Sequence, residues 1–288
     1  MFSLIEMLGR EVAPIRVVDV GAMAIGDEPP PYARIMRDGV TEVVGFEPVR
    51  AECDRLNARS RPGHRYLPYF IGDGRDGVFR ECRFTQSSSL YPPNARLRRR
   101  FPGLAQFGEV VRETPVTTRR LDDVPEIGGA DYLKLDIQGA ELDALRGATR
   151  LLGEVVFVET EVEFVPLYEG QPLFAEVDAF LRERGFLLHT FTSMSGRPFL
   201  PLHPPNRPSD PFRQLVWGDA VYVKDFTRLG ELSAGQLLKL AAIAHDLYGS
   251  PDLAGLALQH HDAKSGRGVW KDYMQRLIGS VPEAPPLE

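Results

Sequence analysis

Along this chain, short apolar runs each close on an acidic residue, and amphipathic stretches separate them. A run of roughly four to eight Val, Ile, Leu and Phe-rich residues reads as a buried strand. Such strands alternating with helical periodicity make an α/β fold with a mainly parallel sheet. IRVVDVGA predicts a first strand ending at Asp19 and Gly21, and EVVGFEP a second ending at Glu47 and closed by Pro48. HRYLPYFIGDG is a weaker third, ending at Asp73, and DYLKLDI a fourth, ending at Asp136. EVVFVETEVEF is a fifth, with Glu159 and Glu161 near its end; GFLLHTF and LVWGDAVYVKD make two late strands.

Periodicity places the helices. After Gly139, the residues Leu142, Leu145, Thr149 and Leu152 recur on one helical face. Pro172 opens another helix, with Phe174, Val177, Phe180 and Leu181 inward and Gly185 as its stop. The stretch from about Asp76 to Glu126 is less regular and reads as an excursion over the sheet's edge. From Ser233 the pattern changes to three helices, the first with a Ser N-cap and a Gly stop. The expected organisation is a sheet domain over 1–226 and a helical extension over 227–288, with a frayed SVPEAPPLE tail. The extension is a candidate for capping the substrate pocket or for pairing two copies of the chain.

Composition narrows the function classes. At 43% hydrophobic the chain can bury a sizeable core, and a net charge of −6 gives no sign of nucleic-acid binding. The one basic run, Ala95 to Gly103, reads as a solvated face or as a lid over an anionic substrate. Cys53 and Cys82 show neither metal-ligand spacing nor a disulfide framework. With no signal pattern at the N-terminus and no run of membrane-spanning length, a soluble cytoplasmic protein is expected.

In open α/β sheets, ligands bind beyond the carboxyl ends of the strands. Here Asp19, Glu47, Asp73, Asp136 and Glu159 stand at or near such ends. One such acid is commonly just a helix cap, but a row of carboxylates repels itself unless the crevice holds a cation or many hydrogen-bond donors. The first loop lacks both GxGxxG and a phosphate-loop lysine, and places Asp27 and Glu28 near Asp19, with Arg34 the first cation. That suits a pyrophosphate poorly and suits a ligand with a positive centre and a ribose. S-adenosylmethionine meets these demands. Asp19 and the Gly21–Ala22 backbone would face its methionine end, Glu47 with Pro48 its ribose, and Asp73 its adenine. The triple proline Pro29–Pro31 would make the first helix start late.

The blocks VVDVGA, VVGFEPV, FIGDG, SSSLY, LDDV, DYLKLDIQGAELDALRGA and VEFVPLYEGQPLFAEVDAFLRERGF occur in the order seen in FkbM-type methyltransferases. The chain resembles that family from Val17 to Phe191, and LKLDIQGAE is the most specific block. The resemblance implies a Rossmann-like class I methyltransferase sheet of seven strands with helices on both faces. It also implies S-adenosylmethionine as donor and, usually, O-methylation of a hydroxyl on a natural product or sugar. Two features depart from the pattern: the first loop reads DVGAMAIGDEPPP, and the C-terminal helices lie outside the motifs.

Asp136 is the first candidate for the reacting centre, with capping of the next helix as its plainer role. Glu159 and Glu161 are candidate catalytic or substrate-binding acids; with Glu163 they share one strand face. Asp136, Glu159 and Glu161 could together hold a divalent cation, a less favoured reading because no histidine stands at ligand spacing. Glu141 is explained by the helix start, Gly139 permits a turn, and Gln138 could orient Asp136 or touch substrate. QSSSLY (Gln86 to Tyr91) lines the site or forms an ordinary polar turn. His189 reads as a satisfied histidine, and His260–His261 as residues of a polar face without chemistry. The alternative function is a catalytically silent module that binds the donor and works through its C-terminal helices. A nicotinamide oxidoreductase is disfavoured by the missing GxGxxG.

Overall fold

The computed structural model describes residues 2–12, 14–23, 29–36, 40–202, 204, 206–207 and 209–279. Asp27, Glu28 and the 280–288 tail lie outside them. The strands are β1 (Ile15–Val20), β2 (Thr41–Phe46), β3 (His64–Leu67), β4 (Asp76–Cys82), β5 (Val110–Thr117), β6 (Tyr132–Leu135), β7 (Phe157–Glu163), β8 (Phe186–Gly196) and β9 (Leu215–Lys224). Seven of them form one sheet in the order β3-β2-β1-β6-β7-β9-β8, and β4 with β5 makes a separate pair. The pairings from β3 through to β7 are parallel; β9 runs antiparallel between β7 and β8. The order reverses beside β1, where β2 lies on one side and β6 on the other, so the switch-point crevice opens at the ends of β1 and β6.

Alternation along the strands splits the core in two. On β1, Val18 and Val20 face one cluster, which contains Leu142, Leu145, Val177 and Leu181. These come from α5 (Glu141–Arg146) and α6 (Phe174–Arg182). Ile15 and Val17 face the other cluster, with Tyr132, Phe157, Val221 and Val223 from the neighbouring strands. That second face is covered by α1 (Leu4–Leu8), α7 (Ala234–Asp246), α8 (Pro251–Ser265) and α9 (Val269–Ile278). The C-terminal helices therefore share the sheet's own core. The Ser233 N-cap forms as expected, its hydroxyl accepting from the Gln236 N–H at 3.2 Å.

Several local expectations need correction. The third strand stops at Leu67, and Asp73 lies in a bend well past it. The helix after Gly139 ends at Arg146, and Thr149 is exposed. A side chain at Gly147 would come within 2.3 Å of the Gly72 carbonyl, so two backbones crowd together there and the helix gives way to a turn. Between β1 and β2 the regular element among the described residues is the 3-10 turn Pro31–Ile35, with proline at its start. The 76–126 excursion holds the β4–β5 hairpin, α3 (Ala95–Arg98) and α4 (Leu104–Phe107), besides its irregular stretches. His261 is buried, not on a polar face; it bonds Asp262 at 3.1 Å. Among the described residues no helix is long and apolar enough to cross a membrane.

Candidate active site

A cavity of about 840 Å³ opens at the carboxyl ends of the strands, toward the large end of what small-molecule sites use. Its floor is a polar row set by strand register. Asp19 pairs with Lys134 across β1 and β6, and Lys134 with Glu159 across β6 and β7. All three lie on the face that the C-terminal helices cover. Lys134 is 9% exposed, and its Nζ donates to the Gly21 carbonyl at 3.0 Å. It stands 3.3 Å from Asp19 Oδ1 and 3.7 Å from Asp136 Oδ2. Burial alone would lower its pKa, but Asp19, then Asp136, more than offset this and the net shift is upward. The acids at the strand ends thus have an internal counter-charge that the sequence reading missed. Its signal was present: one lysine inside an apolar strand.

Asp19 is buried, with Oδ2 accepting from Tyr32 Oη at 2.8 Å. Gly21 and Ala22 line the cavity, but both N–H groups donate to the Phe46 carbonyl, at 3.1 and 3.0 Å. Both N–H groups are thus engaged within the protein, while the two residues stay at the cavity edge where the methionine end was expected. Gly21 has φ +86, and a side chain there would reach 1.9 Å from the Asp136 carbonyl, so only glycine fits this crossing of two strand ends. Glu47 and Pro48 line the cavity. Glu47 accepts from the Val49 N–H at 2.8 Å through one oxygen; among the described residues no donor meets the other. Burial pushes its carboxyl up to about 7, against that hydrogen bond. Asp73 does not line the cavity; it pairs with Arg75.

Asp136 sits just past β6 and does not cap the next helix. No side chain caps it; Glu141, the first helical residue, instead pins the preceding turn, accepting from the N–H groups of Ile137 (2.8 Å) and Gly139 (2.9 Å). The cost of burying it is visible: desolvation pushes its carboxyl up to about 7 despite those bonds. Gln138 has φ +57, the one positive φ outside glycine among the described residues, a strain of about 1 kcal/mol or more. Its amide donates to Asp136 Oδ1 at 3.0 Å and to Glu161 Oε2 at 2.7 Å. Its Oε1 accepts from Tyr168 Oη at 3.0 Å, and its carbonyl from Ser89 Oγ at 2.6 Å. Gln138 is therefore a clamp that orients two carboxylates into the cavity. Ser87, Ser88 and Ser89 of QSSSLY line the same wall.

Glu159 is spoken for on every side. Tyr132 Oη (2.6 Å) and Tyr248 Oη (2.8 Å) donate to one oxygen and Thr192 Oγ1 (3.2 Å) to the other. Tyr248 follows α7, so the C-terminal segment reaches the floor of the site. Glu161 is lifted well above the usual carboxylate range by burial and then by Asp136. Its register partner Asp219 also lines the cavity and accepts from Ser193 Oγ at 2.5 Å. Like Lys134, Asp219 was legible only as a charge interrupting an apolar strand. Glu163 is buried away from the cavity lining. Among the described residues no group of three or more His, Cys, Asp or Glu side chains is arranged to hold a metal ion. His189 lies outside the lining, its Nε2 bonded to Ser250 Oγ at 2.9 Å.

The family model described as the Methyltransferase FkbM domain matches residues 19–188. The 2-O-methyltransferase NoeI of Sinorhizobium fredii is 43% identical over 67 residues, which cover 22% of this chain and 28% of that relative's length. Among solved structures, magnesium protoporphyrin IX methyltransferase of Synechocystis PCC 6803 with bound SAM has 13% identity, 76% and 74% coverage and a TM-score of 0.35. The complex of LepI with SAM has 8% identity, 77% and 47% coverage and a TM-score of 0.32. With more than half of its length matched by that family model, the chain belongs to the FkbM methyltransferase family.

Proposed function

We propose that this chain transfers the methyl group of S-adenosylmethionine to a hydroxyl of a small-molecule or sugar acceptor. The observation that carries the reading is the pair of carboxylates, Asp136 and Glu161, clamped on one Gln138 amide beside the switch point. The residues present fit the donor. Glu47, buried with one oxygen unengaged, is placed to accept from ribose hydroxyls, and Tyr66, Tyr69 and Phe70 give the cavity an aromatic lining suited to an adenine. The acid-rich floor suits a sulfonium.

When bound, the donor supplies an electrophilic methyl group and leaves as a neutral thioether. The chain's part is to hold the acceptor oxygen in line and to take its proton. Asp136, held by Gln138 and backed by Lys134, is the acceptor of that proton. Burial first, and Asp136 next, favour the protonated form of Glu161, so it can donate a hydrogen bond to the acceptor while Asp136 receives one. Glu159, its oxygens taken by three hydroxyl donors, keeps the floor rigid rather than acting as a base. The partly matching relative NoeI carries the name of a 2-O-methyltransferase, in line with a hydroxyl acceptor.

The test is turnover. S-adenosylhomocysteine formation should depend on an added hydroxylated acceptor and collapse in D136N. Donor binding with no turnover across a broad panel of sugars and phenols would favour the silent-module alternative.

A further inference from the structure

The cavity has a second pole that the methyl-transfer chemistry does not use. Arg98 and Arg197 both line it. Arg98 is 3% exposed, a rare state for an arginine. Its Nε donates to the Leu167 carbonyl at 3.0 Å, and its guanidinium lies 4.6 Å from the centre of the Tyr168 ring. Arg197 lies 4.5 Å from the centre of the Trp217 ring and donates from Nη1 to the Gly196 carbonyl at 2.7 Å. Its Nε is buried with no hydrogen-bond partner. Among the described residues neither arginine has a carboxylate at ion-pair distance, whereas most of the chain's other arginines with a short polar contact do. Burying a cation without a counter-ion is costly, and a buried N–H without a partner, on a residue that lines the cavity, marks a place for an acceptor atom.

The setting is preorganised. Phe101, Leu104, Leu167, Tyr168 and Val216 form a third core cluster around Arg98. Trp217 and Asp219 share one face of β9, two residues apart, so the strand that carries the ring partner of Arg197 also carries an acid that lines the cavity. The wall between pole and solvent is apolar: Phe84 and Phe107 line the cavity with their rings 4.9 Å apart, and both are partly exposed at 42% and 37%. The basic run at Ala95 to Gly103, one reading of which was a lid over an anionic substrate, supplies Arg98 to this wall.

We infer that the acceptor carries an anionic group, a carboxylate or a phosphate, held by Arg98 and Arg197 in the same cavity as the methylated hydroxyl, with an apolar body against Phe84 and Phe107. The inference deepens the methyltransferase reading and rests on it for the hydroxyl alone; the anion site stands on the arginines.

Two matched pairs of probes test it: 4-hydroxycinnamate against its methyl ester, and 4-hydroxybenzylphosphonate against its diethyl ester. Each is titrated calorimetrically into the full chain with and without saturating S-adenosylhomocysteine. At least one anion should bind about tenfold tighter than its ester, and the better arm tells carboxylate from phosphate. R197Q should erase the preference and R197K should keep most of it. Anions that bind no tighter than their esters, no binding by any probe, or a preference that survives in R197Q overturns the inference. Should the wild-type chain fail to bind S-adenosylhomocysteine, the donor reading fails by itself, and the probe titrations without it still decide the anion site.

Discussion

Replacing Glu47 with glutamine separates the proposed ligand role from ordinary folding, because the two move in opposite directions. The free protein bears a cost at this position. Burial raises the Glu47 carboxyl from 4.5 to about 7, a shift equivalent to roughly 3 kcal/mol. The sign follows from proton uptake: between these two values the folded state holds the proton more often than the unfolded state. Stability contributed by the protonated carboxyl is full below about pH 4.5 and is lost as pH rises through about 7. Glutamine keeps an acceptor for the Val49 N–H and carries no charge to desolvate. E47Q should therefore be more stable than wild type at pH 8, by up to about 3 kcal/mol, and nearly equal at pH 4. Donor binding should go the other way. Two ribose hydroxyls on a carboxylate are worth about 1.5–3 kcal/mol each, and losing most of that weakens S-adenosylhomocysteine by two to three decades. Urea melts at pH 4 and 8 measure the first effect, and calorimetric titration at pH 8 the second. E47Q binding S-adenosylhomocysteine within threefold of wild type would refute the ribose assignment; E47Q less stable at pH 8 would refute the burial argument.

Other outcomes follow from the same geometry. G21A should lose at least about 2 kcal/mol of stability, read as a lower thermal midpoint, because φ +86 and the Asp136 carbonyl leave no place for a methyl group; an unchanged midpoint contradicts the backbone crossing. D136N should lower kcat by roughly 10²–10⁴ with S-adenosylhomocysteine affinity changed far less, and a kcat within tenfold of wild type removes Asp136 from the reaction. A chain cut after Phe226 should show no cooperative melt and should bind an apolar dye. The cut strips cover from Val17, Tyr132, Phe157, Val221 and Val223 and removes Tyr248 from Glu159; a native-like melt would show the helices dispensable.

The sheet was legible because its central strands β1, β6 and β7 are short apolar runs, and burial on both faces leaves little room for polar residues other than at strand ends. Asp19, Glu47, Asp136, Glu159 and Glu161 were legible for the same reason: acids punctuating such runs have few structural uses. Lys134 and Asp219 were passed over because each was read as part of a strand, although a charge inside an apolar run carries the same signal. Register turns it into meaning, since only pairing places Lys134 between Asp19 and Glu159. The packing of α7 to α9 was not legible: an apolar helical face announces burial but not its partner. Asp73 was misplaced because the third strand is shorter than its apolar pattern, which continues through Tyr69 and Phe70 into the cavity wall. That Gln138 orients Asp136 was legible; its simultaneous hold on Glu161 and its positive φ are features that no residue preference advertises.

The central claim is that the crevice at β1 and β6 holds the methyl donor with Asp136 at the reacting centre. A crystal structure of the full chain with S-adenosylhomocysteine tests it most directly. The account predicts ribose hydroxyls on Glu47 and the thioether sulfur facing Asp136 and Glu161 across the space where an acceptor hydroxyl fits. A ligand bound elsewhere, or a sulfur from which Asp136 points away, contradicts it.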